Sequence, residues 1–281
     1  MDIIGGLSEC APRYDALLCD VWGVIHNGLE SFPVACAALA RFRAEQGPVI
    51  LISNSPRPRD PMIAQMRELG VPDEAWTAVV TSGDATRTLL AQMAPGPAWA
   101  VGPARDAPVY EGLGLDLTDT AAHAAFIACT GLFDDEIETP EDYRGRLAVC
   151  AARGLPMICA NPDRVVQRGD VLIWCAGALA DLYVELGGAV TMAGKPHAPI
   201  YKLALAEASK ALGREIDPRR VLCIGDGVPT DIKGANAQGL DVLFVASGIN
   251  GGDGTLDAGR AEALLAPEAA TATYAMADLA W

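Results

Sequence analysis

The sequence predicts an α/β fold, a Rossmann-like parallel sheet with helices on both faces. Short apolar runs bounded by turn residues recur along the chain, and the predicted strands are 16–19, 49–53, 78–82, 98–101, 126–130, 157–160, 221–225 and 242–246. Ala-rich segments with helical spacing lie between most of them, and the clearest are 32–46, 60–69, 141–153 and 198–212. Strands that alternate with helices at this spacing are typical of a doubly wound parallel sheet.

The composition excludes several classes of protein. Of the 281 residues, 51% are hydrophobic, which is enough for a substantial core. The formal net charge of -15 repels phosphate backbones, so we expect no nucleic-acid partner. The eight cysteines are scattered without a C-x-x-C pair, which argues against a zinc site or a disulfide framework. The first residues do not resemble a signal peptide and no apolar stretch has the length of a membrane span, so we expect a cytoplasmic protein that does not bind membranes.

The middle of the chain predicts a second domain. A Pro/Gly-rich stretch at 95–97 follows a helix and opens another set of strands and helices. We therefore predict an α/β cap domain at 87–188, inserted into a discontinuous core domain at 1–86 and 189–281. The Gly-rich segment 251–254 is predicted to be a surface turn.

Polar groups follow four of the predicted core strands or open the next helix. They are Asp20, the pair Ser53 and Asn54, Lys195 in a Gly-Lys-Pro turn, and Asp226 with Asp231 shortly after it. Because the carboxyl ends of parallel strands meet at one edge of a sheet, we expect these groups to converge on one crevice.

This set of residue types suits phosphoryl transfer. A carboxylate such as Asp20 can form an acyl-phosphate, which divides one difficult displacement into two easier ones. Mg²⁺ prefers oxygen ligands, which Asp20 and Asp226 would supply, with Asp231 as a ligand or as a group that orients one. Lys195 would neutralise a phosphoryl oxygen, and Ser53 would donate a hydrogen bond to another.

Each residue taken alone also has a local interpretation. Asp226 and Asp231 are common residue types in turns and at helix N-termini. Ser53 with Asn54 is an ordinary transition from strand to loop, and Lys195 alone would be a solvated lysine. Asp20 is harder to explain locally, because it follows four apolar residues directly.

The order of these motifs resembles the haloacid-dehalogenase-like (HAD) hydrolase superfamily. The segments are 20–24, 53–55, 194–196 and 225–231, and the chain is most similar to subclass IIA, the NagD-like or nitrophenyl-phosphatase branch. That branch inserts a large α/β cap between its second and third motifs. The segments 81–83, 161–163 and 177–179 resemble the strand that leads from core to cap in that branch and its cap motifs.

The resemblance implies a role for each matching residue. Asp20 would be the nucleophile and a Mg²⁺ ligand, Asp226 a second ligand, and Asp231 a support for the metal. Lys195 would clamp the phosphate. The phosphate-binding and substrate-binding residues would be Ser53, Asn54, Asn161 and Asp163. The resemblance also allows a homodimer formed through the caps.

Trp22 departs from the family pattern, because the family has a second Asp at this position. That Asp protonates the leaving group and then activates water, a function worth about 10²–10⁴ in rate. The backbone carbonyl of Trp22 would still ligate Mg²⁺. The side chain would either cover the substrate as a lid or stacking surface, or fill the space of the carboxylate, and the size of Trp favours packing.

The loss of this acid leaves two possibilities for the leaving group. The enzyme either favours phenolic or acyl phosphates or recruits another acid, for which His26 is a candidate. The interpretation that we favour for His26 is a residue that satisfies hydrogen bonds in a turn.

Three functions compete on these grounds. The first is a Mg²⁺-dependent phosphohydrolase that acts on a small phosphorylated metabolite, with transfer to an acceptor other than water left open. The second is a non-catalytic phospholigand-binding protein with a degenerate site. The third, a metal-free dehalogenase, is disfavoured because it has no need of Asp226 and Asp231.

Overall fold

The computed structural model of the protein describes residues 1–168, 171–248 and 255–281, so the predicted turn at 251–254 lies outside the described residues. The chain divides into two compact units. The first unit comprises Met1–Ser53, Asp60–Val80 and Lys195–Trp281, and the second comprises Asn54–Arg59 and Thr81–Gly194. The predicted insert, 87–188, lies inside the longer segment of the second unit.

The elements alternate along the chain. The strands among the described residues are β1 (Asp2–Ile3), β2 (Ala16–Asp20), β3 (Val49–Ser53), β4 (Ala78–Thr81), β5 (Ala98–Val101), β6 (Leu117–Thr118), β7 (Phe126–Cys129), β8 (Pro156–Cys159), β9 (Val165–Arg168), β10 (Val171–Trp174), β11 (Ala189–Met192), β12 (Val221–Gly225), β13 (Asp241–Val245) and β14 (Tyr274–Met276). The helices are α1 (Pro33–Glu45), α2 (Arg59–Glu68), α3 (Ser82–Ala91), α4 (Arg144–Ala152), α5 (Ala176–Glu185), α6 (Ala198–Leu212), α7 (Lys233–Gln238) and α8 (Ala258–Leu265).

The first sheet has seven strands in the order β1-β14-β13-β12-β2-β3-β4. The strands from β1 to β3 in this order run parallel to their neighbours. The central strand β2 is buried along its whole length, because its apolar residues meet covering layers on both sides. Leu17 and Cys19 join one large apolar cluster together with residues of α1 and α2. The predicted α/β class is therefore confirmed.

Several predicted elements agree with the structure to the residue. These are the strands β3, β5 and β12 and the helix α6. The strand predicted at 78–82 ends one residue earlier, because Thr81 is the N-cap of α3 and its side chain accepts a hydrogen bond from the Asp84 amide at 3.0 Å. The helix predicted at 141–153 begins with a 3₁₀ turn at Pro140–Tyr143, and α4 follows it.

The second unit contains a parallel sheet of its own. Its five strands have the order β11-β8-β7-β5-β6, and β9 and β10 form a separate antiparallel pair. A core cluster that includes Trp99, Tyr143 and Tyr183 packs against this sheet. The strand β11 was not predicted, and its pairing with β8 extends this sheet beyond residue 188.

The fold also contains ion pairs in the first unit and buried thiols in both units. The Asp15 carboxylate, just before β2, accepts hydrogen bonds from Arg214 at 2.5 Å and from Arg220 at 2.8 Å. All eight cysteines are buried thiols, which fits their predicted packing as small apolar groups. No helix among the described residues combines the length and the apolarity that a membrane crossing requires.

Candidate active site

Asp20 is the last residue of β2 and lies at the carboxyl edge of the first sheet. Its strand neighbours are β12 on one side and β3 on the other. The preceding apolar residues belong in the core, so the chain delivers the carboxylate to the sheet edge with only 8% of the residue exposed.

Asp226 and Asp231 reach the same edge from the adjacent strand β12. Asp226 follows the strand directly, and Asp231 lies in a π-helical turn, Val228–Ile232, ahead of α7. The Gly227 amide donates a hydrogen bond to Asp231 Oδ2 at 3.1 Å, which fixes that carboxylate in the turn. A carboxylate oxygen from each of Asp20, Asp226 and Asp231 lies within 4.8 Å of the others.

Lys195 joins these carboxylates just before α6. Its Nζ donates to Asp20 Oδ1 at 2.6 Å and to Asp231 Oδ1 at 2.7 Å, and it lies 3.5 Å from the carbonyl oxygen of Ile52 on β3. The ammonium group is therefore buried between two acidic side chains. The structure thus brings Asp20, Lys195, Asp226 and Asp231 together, although 175 positions separate Asp20 from Lys195 in the chain.

Burial and mutual charge shift the pKa values in this cluster. Burial raises the pKa of Asp20, which the charge of Lys195 lowers and that of Asp226 raises again. Burial and the charge of Asp20 raise the pKa of Asp231 to about 7 against the opposing pull of Lys195. Burial disfavours the Lys195 ammonium, but its attraction to Asp20 and Asp231 outweighs this effect and raises its pKa. Lys195 is therefore a permanent cation.

The donor set suits a hard divalent cation. Three buried carboxylates against one ammonium leave an excess of two negative charges when all are ionised. Ions of this kind are unfavourable in a poorly solvated site unless a cation offsets them. Carboxylate oxygens are the ligands that Mg²⁺ prefers. Asp20, Asp226 and Asp231 could therefore hold such an ion.

Gly23 is a site residue that the sequence interpretation missed. Its φ is 85°, and a Cβ at this position would lie 2.1 Å from Asp226 Oδ2. A Cβ at Gly248, after β13, would lie 1.9 Å from the same oxygen. The Asp226 carboxylate therefore fits between two backbone segments that approach it closely. The signal for Gly23 was present, because glycine follows Trp22 in the nucleophile motif, but the partner at Gly248 had no local signal.

Trp22 is not buried, so the expectation that a side chain of this size packs in the interior is wrong. Its side chain is 53% exposed, whereas the neighbouring residues Val21 and Val24 are buried. The physical reason is that the turn after Asp20 keeps Val21, Val24 and Ile25 in the core and directs the side chain of Trp22 outward.

His26 is buried in this turn and makes local hydrogen bonds. The Gly28 amide donates to His26 Nδ1 at 3.1 Å, and the carbonyl of His26 accepts from the Gly23 amide at 2.8 Å. Burial lowers the pKa of His26, so the neutral ring prevails at neutral pH. These contacts correspond to the predicted turn role.

The remaining predicted site residues divide between the two units. Ser53 is the half-buried last residue of β3, next to β2 at the same sheet edge. In the second unit, Asn54 Nδ2 donates to Asp163 Oδ1 at 3.4 Å. The Asp163 amide donates in turn to Asn161 Oδ1 at 2.9 Å, so these three polar residues form one group.

Comparisons with known proteins agree with this geometry. The model of the haloacid dehalogenase-like hydrolase family matches residues 17–116, and a second, HAD-hydrolase-like model matches residues 192–279. A crystal structure of a haloacid dehalogenase-like hydrolase from Brucella suis has a TM-score of 0.83 and 47% sequence identity, covering 99% of this chain and 100% of that chain. A p-nitrophenyl phosphatase from Archaeoglobus fulgidus shares the fold, with 20% identity, a TM-score of 0.74 and coverage of 94% of this chain and 96% of that chain.

Curated relatives with stated activities are more distant. The D-glycerol 3-phosphate phosphatase of Mycobacterium tuberculosis is 27% identical over 87% of this chain, which spans 66% of the relative's length. A glycerol phosphate phosphatase of that organism, crystallised in complex with magnesium, has a TM-score of 0.71 and 26% identity, covering 95% of this chain and 76% of that chain. The ribonucleotide monophosphatase NagD of Escherichia coli is 24% identical, covering 83% of this chain and 88% of NagD.

Proposed function

The chain belongs to the haloacid dehalogenase-like hydrolase family, subclass IIA, and from that premise we propose that it hydrolyses small phosphorylated metabolites through an aspartyl-phosphate on Asp20. The matches to curated phosphatases confirm the predicted enzyme class, a phosphoric monoester hydrolase. The observation that carries the proposal is the buried cluster in which Lys195 bridges Asp20 and Asp231 beside Asp226.

The proposed cofactor is Mg²⁺, which was crystallised with the glycerol phosphate phosphatase named above. Asp20, Asp226 and the backbone carbonyl of Trp22 would hold the ion, and Asp231 would orient it from beside Lys195. When bound, Mg²⁺ would offset the negative charge of the carboxylates and of the substrate phosphate. The support is the excess of negative charge in a buried set of oxygen donors.

In the first step, a carboxylate oxygen of Asp20 attacks the phosphorus atom, and the bond between phosphorus and the leaving-group oxygen breaks. In the second step, water attacks the phosphorus of the aspartyl-phosphate, which releases inorganic phosphate and restores the carboxylate. The Lys195 ammonium contacts Asp20 and remains charged, so it would hold the nucleophile ionised and neutralise a phosphoryl oxygen.

The residues proposed to bind the substrate are the four that the family resemblance implies. Ser53 and Asn54, at the end of β3, would donate hydrogen bonds to phosphoryl oxygens. Asn161 and Asp163 would contact the rest of the substrate. In this assignment, residues 1–86 and 189–281 are the core domain that carries the chemistry, and residues 87–188 are the cap domain.

The range of leaving groups should be narrow, because an indole replaces the carboxylic acid at position 22. The indole N–H is a hydrogen-bond donor that does not ionise near neutral pH, so Trp22 cannot serve as a general acid. Phenolate and acyl leaving groups depart without protonation, whereas alkoxides need it. We therefore propose a bias towards activated esters, with alkyl phosphates slower by up to about 10²–10⁴.

His26 is the alternative source of the missing proton. Its buried Nδ1 accepts the Gly28 amide, and burial lowers its pKa, so it supports the turn better than it supports acid catalysis. The variant His26→Gln separates these roles. A loss confined to alkyl phosphates would identify an acid, whereas an equal loss on aryl and alkyl phosphates would identify a structural role.

The experiment that tests the function is hydrolysis of an aryl phosphate with Mg²⁺ present or removed by EDTA. We expect metal-dependent release of phosphate by the wild-type protein and none by Asp20→Asn. The matched control is Asp278→Asn, an exposed position of the same unit, which should retain full activity. Release that persists in Asp20→Asn would contradict the proposed nucleophile.

A second candidate function is a non-catalytic protein that binds phospholigands, which the missing acid at position 22 favours. It predicts binding of a phosphonate ligand in the presence of Mg²⁺ without turnover of any phosphate ester. Fast quenching followed by mass spectrometry distinguishes it further, because a phosphoryl adduct on Asp20 requires a working nucleophile. The same measurement with an added alcohol would reveal transfer to an acceptor other than water.

A further inference from the structure

The indole of Trp22 is an exposed aromatic surface on an otherwise buried turn. Its residue is 53% exposed, while Val21, Val24, Ile25 and His26 are each at most 4% exposed. Exposing a tryptophan leaves a large apolar area in water, which is unfavourable unless something covers it in the working state. The turn itself is anchored in the core, so the exposure is a property of this one side chain.

Backbone hydrogen bonds fix the turn that carries the indole. The Gly23 amide donates to the carbonyl of His26 at 2.8 Å, and the Ile25 amide donates to the carbonyl of Val21 at 3.0 Å. Backbone bridges also pair Trp22 with His26 and His26 with Ser31. A ligand that covers the indole therefore does not have to order the backbone that carries it.

The edge of the indole that bears the nitrogen lies against Gly28. A Cβ at this glycine would lie 3.4 Å from Trp22 Nε1, and its φ of 85° suits glycine. The Gly28 amide bond to His26 holds this glycine in place beside the indole nitrogen.

The backbone of Trp22 also lies beside the acidic cluster. Asp20 is the last residue of β2, only two positions before Trp22. Gly23, the residue after Trp22, approaches Asp226 so closely that a Cβ there would lie 2.1 Å from its carboxylate. A phosphate ester attacked by Asp20 would therefore react beside the chain segment that carries this ring.

We infer that Trp22 is a specificity-determining residue that stacks on an aromatic ring in the leaving group of the substrate. The inference rests on the proposed function and narrows it to phosphate monoesters with an aromatic leaving group. Two consequences of the same residue point to this class. The indole removes the acid that alkoxides require, and it supplies a π-face that planar groups prefer.

The test compares two phosphonates that differ in aromaticity alone, benzylphosphonate and cyclohexylmethylphosphonate, in the presence of Mg²⁺. Neither is hydrolysed, so the readout is the dissociation constant, followed by quenching of tryptophan fluorescence and checked by calorimetry. We expect the wild-type protein to bind the aromatic ligand roughly tenfold more tightly. In Trp22→Leu the preference should disappear, and in Trp22→Phe most of it should return.

The matched control is Trp174→Leu, which removes another exposed indole, 41% exposed, from the second unit. This variant should keep the tenfold preference and the fluorescence response. Equal affinities of the wild-type protein for the two phosphonates would overturn the inference, as would a preference that survives in Trp22→Leu. Recovery of the preference in Trp22→Phe guards against a loss of folding in the leucine variant.

The stacking role and the proposed phosphatase function can be refuted separately. Aromatic preference in binding without hydrolysis of any phosphate ester would refute the phosphatase and leave the stacking role intact. Hydrolysis of benzyl phosphate and cyclohexylmethyl phosphate with equal KM would refute the stacking role and leave the phosphatase intact. Both of these esters release an alkoxide, so the comparison of KM is free of differences in leaving-group chemistry.

Discussion

The substitution Lys195→Met tests the charge balance of the buried cluster. Methionine preserves much of the length and the apolar stem of lysine but removes the ammonium group, which lies 2.6 Å from Asp20 Oδ1 and 2.7 Å from Asp231 Oδ1. Both of these carboxylates are buried, so water cannot replace the lost partner at full strength. The variant thus leaves two buried acids without the cation that they share.

The expected loss of stability follows from the burial of this pair. Removal of one partner from a buried ion pair costs about 3–5 kcal/mol, because the other charge stays buried and uncompensated. For a chain of this size, 1 kcal/mol corresponds to roughly 2–4 °C in the unfolding midpoint, so we expect a decrease of at least about 6 °C in EDTA. Hydrolysis should fall by about 10²–10³, the usual loss for one electrostatic stabiliser of the transition state.

The assay is thermal unfolding in EDTA and in excess Mg²⁺, together with steady-state hydrolysis. Because the ammonium and a bound cation offset the same negative charge, Mg²⁺ should raise the unfolding midpoint of Lys195→Met at least as much as that of the wild-type protein. The matched control is Lys202→Met on the exposed side of α6, which should change stability by less than about 0.5 kcal/mol. A Lys195→Met protein that unfolds in EDTA at the wild-type temperature would refute this reasoning.

Two further predictions follow from Gly23 and Asp15. Gly23→Ala should displace the Asp226 carboxylate and abolish the stabilisation by Mg²⁺. The control is Gly239→Ala, because Gly239 also has a positive φ but no atom lies within 4 Å of a Cβ added there. This control should lose only about 1 kcal/mol of stability through backbone strain and keep the metal response. Retention of the metal response in Gly23→Ala would contradict the close approach. Two arginines lower the pKa of Asp15 from 3.8 to about 2, so its ion pairs stabilise the fold above pH 3.8 and lose this effect as the pH falls through about 2. Asp15→Asn should therefore lower the unfolding midpoint at pH 7 by a few degrees and have a smaller effect near pH 2, and a constant difference in acid would count against this account.

The sequence was sufficient for most of the central elements because their patterns are local. An apolar run ended by a carboxylate predicts β2 and Asp20, and a Pro-initiated apolar helix ended by glycine predicts α6. Short or edge strands such as β1 and β14 were missed because two or three residues carry little periodicity. Strand β11 was missed because its half-buried residues alternate weakly, and its pairing with β8 depends on distant chain segments.

The candidate site shows the same division. Asp20, Lys195, Asp226 and Asp231 could be singled out because carboxyl ends of parallel strands share one edge of a sheet. The exposure of Trp22 could not be derived from its size, because burial depends on where the turn after β2 directs the chain. The closeness of Gly248 to Asp226 depends on the packing of the segment after β13, which no local pattern records.

The sequence by itself determined the α/β class, the family resemblance and the residues with suitable chemistry, since residue type and spacing are carried by the chain. Only the tertiary structure decided that Lys195 neutralises two acids at once and that Trp22 faces solvent while His26 is buried within the same turn. The physical reason is that charge balance and exposure are set by neighbours that are distant in sequence. Such neighbours become adjacent only when the sheet has assembled.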